Sequence, residues 1–167
     1  FKYDFCHNEQ YSRYAPLVYA LEIVPLGEKS GKIIPCRDAK LNGLAKFIPE
    51  KKVEGGYYIS GLDKARGIAT FDKVVVDEEG EYVLTLCIKK LGWYKKTLVA
   101  KVNGKSHIYE FPQQKFWNNT ARFQQVVHLN KGANVIELSN PVTRRADSAA
   151  LQYYKMGQAL KSATKRV

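Results

Sequence analysis

Several things are scarce in this chain, and each scarcity excludes something. Acid is scarce: 16 Asp and Glu stand against 27 Lys and Arg, a formal net charge of +11. A charge of that sign leaves anionic partners open, among them nucleic acid, a membrane surface or an acidic polysaccharide. Yet the basic residues are scattered from Lys2 to Arg166, and the densest run, "KKLGWYKK" at 89–96, is short. Dispersed charge more often keeps a domain soluble, so nucleic acid is the minor reading. No apolar run reaches the length of a membrane span. Cysteine is scarce and odd in number: Cys6, Cys36 and Cys87, with no C-x-x-C pair. That excludes a complete disulfide framework and argues against a cysteine metal site. The plain reading is three buried or partly buried thiols. A bridge between Cys6 and Cys36 stays open, but nothing in the sequence supports it. No methionine opens the chain, and no basic and apolar leader follows its first residue. We therefore read it as a piece of a longer protein, with any secretion signal upstream or removed.

What is present suffices for a core. The 167 residues are 45% apolar, too many for a disordered segment and enough for one buried interior. From about residue 33 to 154 the pattern is of strands and turns. In "GEYVLTLCIKK", Tyr82, Leu84, Leu86 and Ile88 fall on one face, and Val83, Thr85, Cys87 and Lys89 on the other. "KTLVAKVNGKSHIYEF" reads as a hairpin. Leu98, Ala100 and Val102 point inward, and Asn103 and Gly104 supply the tight turn. "RFQQVVHLNKGANVIEL" repeats the theme around a turn at residues 131–134, and further strands are expected at 56–60 and 68–76. Many short strands with regular turns predict an antiparallel β-sandwich, an all-β fold.

The two ends differ from the middle. "RYAPLVYALEIVP" is bracketed by Pro16 and Pro25 and nearly continuous in apolar residues, so a short helix and an extended segment both fit it. "GEKSGK" at 27–32 has the composition of a linker. Towards the other end, Tyr153, Met156, Ala159, Leu160 and Ala163 recur at helical spacing. Asp147 or Ser148 can cap that helix, and late cations suit its C-terminus. It could pack on the sandwich or belong to another domain.

The middle resembles the galactose-binding-like jelly rolls of carbohydrate-binding module families 6 and 35. The landmarks occur in order: "CRDAKLNG", "GGYYISGLDKARGIATFDKVVV", "DEEGEYVLTLCI", "LVAKVNG" and "FPQQKFWNNTARFQQVVHLNKGANVIEL". From the first to the last they span about two thirds of the chain. The resemblance implies a sugar-binding module. Candidate contacts by position are Tyr57 and Tyr58 in the Gly-Gly loop, Trp93 and Tyr94 among lysines, Trp117 and Asn118 in "FWNNT", and Asn140 in "LSNP". Aromatic faces would hold pyranose rings, while amides and charges would fix hydroxyls. The lysines around Trp93 and Tyr94 would also suit a uronate as well as a galactose-containing glycan. This chain departs from the family where its ligand-contacting asparagine matches Ala150 and its closing aspartate matches Gln152. The glutamates that hold a structural calcium match Pro35 and Arg37. An arginine there argues against calcium, so neither a metal nor any other cofactor is expected.

The flanks resemble family 27 glycoside hydrolases, the α-galactosidases. "KYDFC" looks like that family's Lys-Tyr-Asp-x-Cys motif, and "YYKMGQALKSATKR" like the helix after it. The resemblance implies that Asp4 is the nucleophile of a retaining glycosidase, with its acid/base on a barrel strand outside this chain. The expected organisation is a barrel-derived strand end and linker at 1–32, a sandwich at 33–146 and a helix returning to the host barrel at 147–167. The sandwich alone would be non-catalytic. The alternatives are a structural insert at the active-site mouth or an oligomer interface. The resemblance also implies a secreted or periplasmic protein.

Overall fold

The computed structural model describes residues 11–89, 94–113 and 120–144. The start of the chain with Asp4, the C-terminal stretch expected to be a helix, and Trp93, Trp117 and Asn118 lie outside the described residues. Among the described residues, eleven strands form two antiparallel sheets. The first sheet has the order β10 (Thr120–Leu129), β7 (Gly80–Lys89), β1 (Leu17–Pro25), β5 (Tyr57–Ser60), β4 (Lys46–Pro49), with β2 (Lys32–Pro35) also paired to β1. The second runs β3 (Lys40–Asn42), β6 (Ile68–Val76), β11 (Gly132–Ser139), β8 (Lys96–Val102), β9 (Lys105–Phe111). The core lies between them. Leu84, Leu86 and Ile88 of β7 face Leu98 and Ala100 of β8, Phe111 of β9, and Ile136 and Leu138 of β11, all fully or almost fully buried. The Tyr109 hydroxyl crosses from the second sheet to donate to the Leu84 carbonyl at 2.7 Å. The expected period of two in β7 and β8 is realised, and Asn103 and Gly104 turn the β8–β9 hairpin at φ 48° and 91°.

Two boundaries move. The sandwich starts at Leu17, not at residue 33. β1 lies inside the first sheet, paired along its length with β7, and Val18, Leu21 and Ile23 are core residues. Its register shifts between Val18 and Ala20. A bulge of this kind puts extra residues on one strand and spoils the alternation that marks a strand in sequence. Residues 27–31 are then no linker but part of the 26–31 connection of the β1–β2 hairpin, and Lys32 opens β2. A Cβ on Gly31 would lie 2.0 Å from the Ile23 carbonyl oxygen, so a side chain cannot stand there. The second turn, expected at 131–134, is shorter: β11 begins at Gly132, and Asn134 is buried within it. The Asn134 amide donates to Val74, Asn130 and Gly132 carbonyls and its oxygen accepts the Asn130 N–H, which closes the turn from inside.

The strands divide the molecule into two poles. One gathers short turns, at residues 26–31, 77–79, 103–104 and 130–131. It carries Glu28, Asp77, Glu78, Glu79 and Glu81, with His128 between Glu79 and Glu81 at 3.3 and 3.2 Å. The other gathers the longer loops, the segment entering β1 and the segment leaving β11. Arg13, Lys46, Lys64, Arg66 and Lys95 stand exposed there.

Candidate functional site

The loop pole is organised by one side chain. Asn140 follows β11 and is fully buried. Its two amide hydrogens are shared among the carbonyls of Ser12 (2.8 Å), Thr97 (3.0 Å) and Tyr14 (3.2 Å). Its oxygen accepts the N–H groups of Val142 and Thr143. Thr97 N–H donates to the Tyr14 carbonyl, and Thr143 bonds the 62–66 loop through its hydroxyl and its carbonyl. Entry segment, β8 and exit segment are thereby joined. The Asn140 amide is thus taken up by hydrogen bonds inside the protein, and its side chain is fully buried.

Tyr94 sits just before β8 and is 60% exposed. Its ring stacks on Tyr14 at 4.7 Å between centroids, with 17° between planes. The Arg13 guanidinium lies 5.5 Å from the Tyr14 ring centre. Lys96 Nζ donates to the Tyr94 carbonyl at 3.2 Å. Burial pulls the Lys96 ammonium below its usual range, against the opposing pull of Asp63. Lys95 and Lys96, which follow Tyr94, line a cavity of about 450 Å³ together with Ser12, Glu110 and Pro112. An exposed ring, with cations and a carboxylate at an open cavity, can hold a polar ring with hydroxyl or carboxylate groups.

The Gly-Gly loop is built differently. Gly55 and Gly56 both take positive φ, which lets residues 50–56 turn tightly into β5. Glu50 of this loop pairs with the buried Lys89 at 3.3 Å and accepts the Lys52 N–H. The Lys52 hydrogen bond first, then Lys89, holds the Glu50 carboxyl below the usual carboxylate range. Tyr58 is buried and offers no ring face to a ligand. Tyr57 is half-buried against the core, and the Arg37 guanidinium covers its ring at 4.3 Å while lying 5.2 Å from Phe47. Tyr57 belongs to the first sheet, and Tyr94 leads into the second. At the positions given to calcium ligands, Pro35 has no side-chain oxygen and Arg37 places a cation over rings. These residues do not fit a hard cation. Among the described residues no group of three or more His, Cys, Asp or Glu could hold a metal.

A third cluster escaped the sequence reading. On the outer face of the first sheet, Glu22 of β1 and Arg122 of β10 form an ion pair across β7. Arg122 also reaches Cys87 Sγ at 3.5 Å. Burial raises the Cys87 thiol and the neighbouring Tyr19 phenol above their ordinary values. Thr85 Oγ1 lies in this row, buried and without a partner. The only signal was the second face of β7, where Val83, Thr85, Cys87 and Lys89 alternate.

No protein-family model matches the chain, and no curated protein matches it in sequence. Solved structures match it in fold. A family 35 carbohydrate-binding module from Clostridium thermocellum aligns at 23% identity and a TM-score of 0.56, over 62% of this chain and 81% of that one. The CBM35 from Cellvibrio japonicus Abf62 aligns at 13% identity and a TM-score of 0.54, over 74% and 84%. An exo-β-1,3-galactanase from Phanerochaete chrysosporium, solved with β-1,3-galactotriose, aligns at 16% identity and a TM-score of 0.56, over 68% of this chain but 28% of that one. The architecture is thus an all-β jelly roll of the carbohydrate-binding-module type. Its fold is that seen in the family 35 modules.

Proposed function

We propose that the chain is a non-catalytic carbohydrate-binding module, carried as an insert in an α-galactosidase-like retaining glycoside hydrolase. The observation that carries the binding half is the exposed Tyr94 ring at the loop pole, next in sequence to Lys95 and Lys96, which line an open cavity. A pyranose would lay its C–H face on the ring, and the lysines would pair with a uronate carboxylate or with hydroxyls. The galactanase neighbour was solved with a galactotriose, which makes β-1,3-galactan the first neutral ligand to try. Trp93, Trp117 and Asn118 are the remaining loop candidates, and Tyr57 is a rim candidate. The insert half is supported by the clasp at Asn140, since a module whose entry and exit run side by side can be spliced into a loop at small entropic cost. On this reading the sandwich begins at Leu17 and the flanks belong to the host barrel. Asp4 is the host's nucleophile, the protein is secreted or periplasmic, and this chain alone hydrolyses nothing.

A glycan array with galactose- and uronate-containing oligosaccharides tests the binding half. Wild type should bind one class, and Tyr94→Ala should cost about 1 kcal/mol or more, roughly fivefold in Kd. Failure of wild type to bind would favour the second reading, a structural insert that shapes the active-site mouth or an oligomer contact. One observation already speaks for it: Tyr57 and Tyr94 each have part of the ring covered from within, by Arg37 and by Tyr14.

A further inference from the structure

We propose that Tyr14 is the positioning residue for the Tyr94 ring, which makes the entry segment a working part of the candidate site. The inference rests on the reading of Tyr94 as a sugar platform. Tyr94 is held from two sides. Its carbonyl accepts from Lys96 Nζ, and its ring lies nearly parallel to Tyr14. Tyr14 is itself fixed: its carbonyl takes the Thr97 N–H at 2.9 Å and the Asn140 amide at 3.2 Å, and its N–H donates to Ser12 Oγ at 3.0 Å. Ser12 lines the cavity with Lys95 and Lys96, and its own N–H donates to Thr97 Oγ1. One segment therefore supplies a wall of the cavity and the backing of the ring.

A stack whose purpose was to seal the interior would bury both rings. Tyr94 keeps 60% of its surface exposed, so the contact buries little of it and chiefly sets its orientation. Offset parallel stacking leaves the second face of Tyr94 for one sugar ring. Without Tyr14, an exposed tyrosine samples several rotamers, and a ligand must order it on binding. Losing that preorganisation should weaken binding by roughly two- to tenfold, the cost of immobilising one side chain. Anything that displaces residues 12–14 would reach Tyr94 by the same contacts, so affinity is coupled to the entry segment.

The test uses the full chain with Tyr14→Phe and Tyr14→Leu. The aromatic NMR signals of Tyr94, assigned by their loss in Tyr94→Phe, report the stack through ring-current shifts. Wild type should give nuclear Overhauser contacts between the two rings. Tyr14→Phe should keep the Tyr94 shifts and the affinity for any glycan the array identifies. Tyr14→Leu should move the Tyr94 signals towards free-tyrosine values, leave the strand amides in place and weaken binding roughly two- to tenfold. Unmoved Tyr94 signals in Tyr14→Leu, or moved signals with unchanged affinity, overturn the proposal. If Tyr14→Leu does not fold, absence of ring contacts in wild type overturns it. If wild type binds no glycan, the carbohydrate reading fails, while the ring contacts and shifts still decide whether Tyr14 positions Tyr94.

Discussion

Asn140 and Thr85 are opposite cases of the same accounting. Both are polar and fully buried, but Asn140 satisfies five backbone groups whereas Thr85 Oγ1 satisfies none. Asn140→Ala should destabilise the fold by about 3 kcal/mol, because it strands carbonyls and N–H groups away from water. Thr85→Val should be neutral or stabilise by up to about 1 kcal/mol, since it removes an unpaired hydroxyl at constant shape and keeps a β-branched side chain. Urea unfolding of both variants checks the pair, and a shifted midpoint with unchanged slope is the expected form of each effect. Neither role was legible in the sequence. An asparagine before a proline at a strand end suits an exposed ligand contact and a buried clasp equally well. What separates them is the location of Ser12 and Tyr14, more than 120 positions away. The burial of Tyr58 was hidden for a similar reason: a Gly-Gly-Tyr-Tyr loop does not state which tyrosine turns inward.

At the scale of elements, period two was enough wherever a strand was regular. β7, β8 and the β8–β9 hairpin were readable because alternation, chain direction and turn residues agreed. β1 was not. Its bulge after Val18 and its flanking prolines mimic a short helix or a coil, and the Gly-rich hairpin after it mimics a linker. The composition at 27–32 is what a flexible tether would have, but the backbone passes within contact distance of Ile23, which only glycine allows. A chain truncated to begin at residue 33 would lack the strand that β7, β5 and β2 all pair with. We expect it to show no cooperative thermal transition, whereas a chain beginning at residue 11 should keep one. Circular dichroism melts of the two truncations distinguish the outcomes.

For the molecule as a whole, the sandwich was legible, and so was the dispersal of its charge. Glu28, Asp77, Glu78, Glu79 and Glu81 collect at the turn pole, but exposed Lys29, Lys32, Lys105 and Lys131 stand there too, while exposed Arg13, Lys46, Lys64, Arg66 and Lys95 ring the loop pole. At the cavity near Tyr94 the cations are Lys95 and Lys96, with Glu110 across from them. If an anionic glycan binds there, its Kd should rise as salt is raised from low to physiological concentration, because exposed charges are screened over about 8 Å at the latter. A neutral galactan should show little change. Titrations at two ionic strengths therefore identify the ligand class even when absolute affinities are weak.

The closeness of the entry and exit segments also decides how the protein would carry a mechanical load. Force applied through residues 11 and 144 in opposite directions meets the Asn140 clasp first, since its hydrogen bonds join the two legs directly. Those bonds part before tension reaches β1 and β11, each held along its length by neighbouring strands of a different sheet. The clasp would work as a fuse that yields early and spares the barrier to full unravelling. Single-molecule stretching from these two points should record a small first extension before the main rupture, and Asn140→Ala should erase the first event while leaving the second at similar force.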